Sequence, residues 1–414
     1  MGQAEDRRAF AIEVVEALVA AGYEAVWAGG CVRDLLLGDG QVPDDYDIAT
    51  DATPDQVQGV FGRNRTFAVG ASFGVMLVNG RGQQQPIEVA TFRTEGAYAD
   101  GRHPDAVQFA TRQDDARRRD FTINGMFMDP LSGEVFDDVG GRQDLDRGVV
   151  RAIGDPEARI AEDKLRMLRA IRFTASLGFT LDPATAGAIT SHAGEIQVVS
   201  AERIAEEWRR MLGHPGRGVA VGLAIETGLL ESVFPEVPAG TYADAVSRLN
   251  RLPGAAGAMV GLAVLLVDTE DPRGVCRRLK LSNRESDEVS WLVGARGRLA
   301  DASGMRRSKL FPVLSHPSRN GLLELVDAIG QGDGAPSLDV AWCRELLESV
   351  SDLDLDPLPL LTGDDLKAAG LSPGPLFKTL LQSIRDAQLD QEVRDRDQAL
   401  NLFHEIRRRH QDDE

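Results

Sequence analysis

Apolar residues recur at helical spacing from the start of the chain. Ile12, Val15, Leu18 and Val19 predict a helix over 10–21, with Gly22 as its stop. A short apolar run at 26–28 predicts a strand leading into Gly29 and Gly30, and 32–37 predicts a helix ending at Gly38. Three more strands are predicted at 46–49, 74–78 and 87–92, where β-branched and aromatic residues gather. Beyond about Gly154 the strand signals vanish. Amphipathic helices then follow one another between Gly, Pro or Ser-Asn breaks, with 156–176, 201–212, 339–350 and 374–389 as examples. The stretch 351–361, with Asp352, Asp354, Asp356 and two prolines, reads as a solvated connector. Its alternating Asp residues resemble a calcium loop, but the required Gly and closing Glu are missing. The pattern predicts an α+β chain: a small mixed sheet in the head, then helices to the end.

Composition narrows the class. A chain of 414 residues has room for two to four domains at roughly 100–200 residues each. With 27% charged and 43% hydrophobic residues it is not wholesale disordered. The longest apolar run, 259–267, falls far short of the ~20 residues that span a bilayer, so no membrane role is expected. The opening MGQAEDRRAF lacks the apolar core of a signal peptide, and a cytoplasmic location is expected. Cys31, Cys276 and Cys343 match no zinc spacing, and the six histidines are too scattered for a metal centre. No obligate protein partner is evident. The net charge of −19, from 65 acidic against 46 basic residues, opposes a diffuse polycation. It does not exclude nucleic acid. Between residues 271 and 310 ten Lys or Arg stand against five Asp or Glu, and Arg277, Arg278 and Lys280 cluster there.

The chemistry concentrates in PDDYDIAT, residues 43–50. Asp45 and Asp47 stand two apart on a predicted strand, so both side chains share a face and Asp44 takes the other. Two carboxylates so close repel one another, and a hard divalent cation relieves the repulsion. Mg²⁺ favours carboxylate and phosphate oxygens, and such ions serve in-line phosphoryl displacement. Upstream, AGGCVRD (28–34) puts a glycine pair between strand and helix, where backbone can approach phosphate, with Arg33 one turn on. Glu88, flanked by Ile87 and Val89 that face the other way, is the candidate third carboxylate.

Together these pieces resemble the class II CCA-adding tRNA nucleotidyltransferases and the bacterial poly(A) polymerases related to them. The resemblance covers essentially the whole chain. GGCVRDLLLG (29–38) with DDYDIAT (44–50) is similar to the family's catalytic motif, residues 93–109 to its flexible loop, and RRDFTING (118–125) to its next motif. GDP (154–156) resembles the head-to-neck junction and EDKLRMLRAIRF (162–173) the nucleotide-selecting helix. RRLKLSNRE (277–285), and LLTGDDL with the following LSPGP (360–375), resemble landmarks of body and tail. The resemblance implies a catalytic head at 1–154, a helical neck at 155–215, a body at 216–330 and a tail at 331–414, elongated and all-helical beyond the head. It implies that Asp45 and Asp47 hold the metal, that Gly30 and Arg33 contact the nucleotide, and that Arg119 reaches the triphosphate. Asp120 and Asn124 would support the site. Gly125 stands where family enzymes often carry Ala.

The resemblance also assigns base selection to Asp163 and Arg166, and chemistry agrees. Cytosine and adenine both show an amino donor beside a ring-nitrogen acceptor, whereas uracil and guanine show the reverse. A carboxylate only accepts and a guanidinium only donates, so the pair suits CTP and ATP. UTP or GTP would leave both contacts unpaired, at about 1–3 kcal/mol each. Three residues apart on one helix, the two are neighbours. Arg169 and Arg172 drift around such a helix and are expected to position it or to touch phosphate. The implied activity is template-independent addition of CCA to tRNA, with release of pyrophosphate. A-adding enzymes and poly(A) polymerases share these motifs. From other classes, a silent RNA-binding module is opposed by the complete set of carboxylates, and a small-molecule nucleotidyltransferase would not need the helical region. Some relatives carry a phosphohydrolase with a His-Asp pair; no histidine here precedes Asp.

Overall fold

A computed structural model describes residues 3–38, 43, 45–70, 74–80, 82, 84–95, 107–330, 338–372 and 374–412. The chain divides into two compact units, Met1–Tyr242 and Ala243–Glu414.

The first unit starts with α1 (Gln3–Ala20), whose Phe10, Ala11, Val14, Val15 and Leu18 are buried. Gly22, at a φ of 91°, turns the chain into β1 (Ala25–Ala28). Next come α2 (Gly30–Leu37), β2 (Asp47–Thr50), α3 (Pro54–Phe61), β3 (Thr66–Gly70), β4 (Val75–Val78) and β5 (Ile87–Thr91). Then follow β6 (Arg93–Glu95), β7 (Val107–Phe109), α4 (Arg112–Arg118), β8 (Phe127–Met128) and β9 (Val135–Phe136). Seven strands make one mixed sheet in the order β3-β4-β5-β2-β1-β8-β9, with only β2 and β5 parallel. Strands β6 and β7 form their own antiparallel pair. They are the two ends of the expected flexible loop, whose centre, 96–106, lies outside the described residues, as does Asp44.

The strand expected at 46–49 starts one residue later, so Asp45 precedes the sheet. The alternation survives this shift: Tyr46 is fully buried against Trp27, ring centroids 4.7 Å apart, between two exposed aspartates.

After the sheet come α5 (Gly141–Arg147) and β10 (Val149–Val150), then α6 (Pro156–Glu162) and α7 (Leu165–Leu177). The single helix expected over 156–176 is therefore two. Asp163 breaks it, with extended backbone (φ −143°, ψ 107°) and a carboxylate that accepts from the Leu165 N–H at 3.0 Å, competing with the helical pattern. The expected absence of strands after Gly154 is corrected too, because β11 (Thr180–Leu181) pairs with β10 in parallel. Helices α8 (Pro183–His192) and α9 (Ala201–Leu212) follow; α7 packs on α9, and Leu168 and Ile171 of the one and Trp208 of the other are buried.

The described part of the second unit is helical. Its apolar centre is Ala258–Leu265, with residues 260–265 all buried. Asn283–Ala295 is closed by a Ser282–Glu285 capping box. Pro375–Leu389 and Arg396–Asp412 bury Leu380, Ile384, Ala399 and Phe403 together. The connector expected at 351–361 contains a helical turn, Asp352–Leu355, because the Ser351 hydroxyl caps it. No described helix is long and apolar enough to cross a membrane.

Candidate active site

Sheet register builds the acidic end of the site. Asp47 begins β2 and stands opposite Glu88 of β5 on one side and Ala28 of β1 on the other. Protein crowded around the exposed Asp47 carboxyl, then the Asp45 and Glu88 charges, push it up to about 6, against the pull of Arg119 and Arg7. A carboxylate whose proton affinity is raised by a neighbouring carboxylate fits a hard divalent cation whose remaining contacts come from phosphate oxygens. Among the described residues no set of three or more Asp, Glu, His or Cys is placed to hold a metal by itself. Glu88 stands across from Asp47 on the neighbouring strand, where it adds to the negative charge around that carboxyl. Asp45 already has a partner that sequence reasoning missed: Arg7 Nη2 lies 2.5 Å from its Oδ1.

The arginines are set by packing around α2 and α7. Gly29, not Gly30, meets the conformational demand: it has a φ of 73°, and a Cβ there would lie 3.0 Å from Arg119 Nη1. Gly30 opens α2, and no side chain caps that N-terminus. Arg33 donates through Nη1 to Asn124 Oδ1 (2.8 Å) and through Nε to Asp34 Oδ1 (2.8 Å). Arg119 is held by Asp115, its Nε and Nη2 donating to Oδ2 at 3.1 and 3.0 Å, and it lies over the Phe127 ring. Asp115 also takes Arg118, so the run 117–119 is sorted by one buried acid. Burial pushes the Asp115 carboxyl up, and the two arginines more than reverse that and hold it low. Gly125 has a packing reason: a Cβ there would lie 2.6 Å from Val139 and 3.0 Å from Ile153.

The break between α6 and α7 changes how Asp163 and Arg166 are placed. Asp163 and Arg166 do not share a continuous helical face. Arg203 of α9 donates to Asp163 Oδ2 at 2.8 Å. Arg166 donates to Glu162 Oε2 at 2.6 Å and to the Arg159 and Arg118 carbonyls. Arg169 grips Asp120 Oδ2 through Nε (2.8 Å) and Nη2 (2.6 Å), and Arg172 Nε reaches Glu207 Oε2 at 2.6 Å. Arg33, Arg169 and Arg172 all lie over the Phe173 ring, 4.1–5.3 Å from its centre. Sequence reasoning placed the cations but not the acids Glu162 and Glu207 or the extra Arg203. The signal was there: a buried arginine row needs counter-charges, and Arg203 and Glu207 lie one turn apart on the 201–212 helix.

The basic stretch 271–310 is partly neutralised at home. Arg273 pairs with Asp287 (2.7 Å), and Lys309 with Asp386 (3.1 Å). Arg277 stays 69% exposed, with Asp271 at 3.8 Å.

A carboxylate pair within electrostatic reach of Arg119, beside a glycine turn, is suited to polyphosphate chemistry. Residues 25–151 match the poly A polymerase head domain family, and 178–239 match the family described as the probable RNA and SrmB-binding site of polymerase A. The chain is 33% identical over 386 residues to the CCA-adding enzyme of Geobacillus sp. (strain WCH70), covering 92% of this chain and 93% of that one. The chain belongs to the CCA-adding enzyme family. The family's enzyme from Geobacillus stearothermophilus is 32% identical over 92% of this chain. The solved CCA-adding enzyme of Bacillus stearothermophilus, in complex with CTP, superposes with a TM-score of 0.81 at 29% identity, each chain covered in full. The Thermotoga maritima CCA-adding enzyme complexed with tRNA shares the fold, with a TM-score of 0.67 at 19% identity.

Proposed function

We propose that this protein adds CCA to the 3′ end of tRNA, using CTP and ATP and no nucleic-acid template. The observation that carries the reading is the Asp45–Asp47 pair at the start of β2, within the electrostatic reach of Arg119. The CCA-adding enzymes that match over nine-tenths of the chain support it.

In this reading the tRNA 3′-hydroxyl attacks the α-phosphate, and pyrophosphate leaves. Asp45 and Asp47 hold the divalent cation, which we take to be Mg²⁺. When bound, that ion supplies Lewis-acid activation of the hydroxyl and screens the triphosphate. Glu88 stays beside Asp47 as a further negative charge. Arg119 and Arg33 meet the phosphates, and the α2 N-terminus at Gly30 offers backbone N–H groups to them. Asp163 accepts from the base amino group and Arg166 donates to the ring nitrogen. Asp120 and Glu207, through Arg169 and Arg172, fix the helix that carries Arg166. We assign the head to 1–154, the neck to 155–215, the body to 216–330 and the tail to 331–414, working in the cytoplasm.

Asp47→Ala tests the assignment. Transfer to a tRNA transcript should fall by at least ~10³-fold while CTP binding survives. Turnover near wild type would remove the carboxylate from the reaction.

A further inference from the structure

The carboxylate that opens the site is not free among the described residues. Arg7 projects from α1 and places Nη2 2.5 Å from Asp45 Oδ1, while its Nη1 donates to Gln85 Oε1 at 2.8 Å. The contact is asymmetric. The Arg7 side chain is 21% exposed and the Asp45 side chain 70% exposed, so the cation is the anchored partner and the carboxylate the accessible one. The anchor is firm, because the turns after Arg7 bury Phe10, Ala11, Val14 and Val15. Gln85 precedes β5 by two residues, so Arg7 ties the first helix to the strand that carries Glu88.

We propose that Arg7 is a built-in counter-cation of the carboxylate pair, occupying Asp45 before the metal arrives and competing with it. The inference rests on the reading of Asp45 and Asp47 as the cation-holding pair. Its physical basis is charge. A guanidinium on Asp45 Oδ1 and a divalent cation on the same carboxylate stand a few ångströms apart and repel each other. Arg7 therefore lowers the affinity of the nucleotide-free site for a bare cation. A cation arriving with a triphosphate brings its own negative charge and feels less of that repulsion. The arrangement favours cation entry together with nucleotide, and it keeps two adjacent carboxylates tolerable while the site is empty of both.

The pair is largely solvated, which bounds the effect to about three- to tenfold in metal affinity. Mn²⁺ binding to the full-length enzyme without nucleotide, read by the electron paramagnetic resonance signal of free Mn²⁺, measures it directly. Arg7→Gln should bind Mn²⁺ about three- to tenfold more tightly than wild type, and Arg7→Lys, which keeps the charge, should bind within about twofold of it. In an Asp45→Asn background the gain from Arg7→Gln should shrink to below about twofold. Unchanged or weaker Mn²⁺ binding by Arg7→Gln would overturn the proposal and leave Arg7 as a tether for α1. If Asp45→Asn alone does not weaken Mn²⁺ binding, the carboxylate reading itself fails, and the Arg7 proposal with it.

Discussion

Replacing Asp120 with Asn tests how the arginine row is held. Asp120 is buried, and its two oxygens are divided: Oδ2 takes both Arg169 contacts, and Oδ1 accepts from the Phe121 N–H (2.8 Å) and Asn124 Nδ2 (3.2 Å). Asparagine keeps the volume but has one acceptor oxygen, so its amide must face donors on one side. Removing one partner of a buried pair costs about 3–5 kcal/mol. Arg169 is one-third exposed and has Glu207 at 3.8 Å as a second anion, which brings the expected loss down to about 2–3 kcal/mol. The unit spans Met1–Tyr242, a size for which 1 kcal/mol moves the melting temperature by roughly 2–4 °C. The variant should therefore melt about 4–12 °C lower at pH 7. The acid dependence gives a second readout. Burial pushes the Asp120 carboxyl up, but Arg169, the Phe121 N–H and Asn124 outweigh it and hold it below its ordinary value. A carboxylate lowered by folding contributes its stability above the unfolded value of about 3.9 and loses it as pH falls through the folded one. The gap between wild type and Asp120→Asn should be full at pH 7 and close progressively below about pH 4. Equal melting at pH 7, or a gap unchanged in acid, would mean that the Asp120 carboxylate does not hold Arg169 in place.

Four further outcomes follow from the same geometry. Asp163→Ala should narrow the preference for CTP over UTP by about 5–150-fold in kcat/KM, the equivalent of one lost 1–3 kcal/mol contact; an unchanged ratio counts against Asp163 as selector. With the Asp47 carboxyl at about 6, divalent cations should displace protons near that pH and almost none at pH 8. Calorimetry in buffers of different ionisation heat reads this, and heats independent of buffer at pH 6 contradict it. Gly29→Ala combines a positive φ with a Cβ 3.0 Å from Arg119, and should cost about 1–2 kcal/mol in stability and raise the KM for CTP. A wild-type KM contradicts the close approach. Replacing Arg277, Arg278 and Lys280 with Gln should weaken tRNA binding and flatten its dependence on log[salt] by about 2–3. An unchanged slope places the RNA elsewhere.

Much of the first unit was legible because its signals are local. The apolar periods of α1 and α9, the glycine stops at Gly22 and Gly38, and the alternation around Tyr46 each report a neighbour a few residues away. The helix over 201–212 matches Ala201–Leu212 for the same reason. The break at Asp163 was not legible, because Leu165, Leu168 and Ile171 carry the apolar period on from Ile160 while a single side chain capped the turn. Nor was the pairing of charges. Asp163 meets Arg203 and Asp45 meets Arg7 across 40 and 38 residues, which only the fold brings together. The basic block shows the same limit, since Asp386 approaches Lys309 from a helix 77 residues away. Counting charge along the chain locates cations but not the acids that answer them.

A nucleotide-addition assay on a tRNA transcript ending at the discriminator base decides whether the protein adds CCA. Two additions are expected with CTP alone, one further addition when ATP is supplied as well, and then arrest. Long A tails from ATP, or transfer that does not need tRNA, would contradict it.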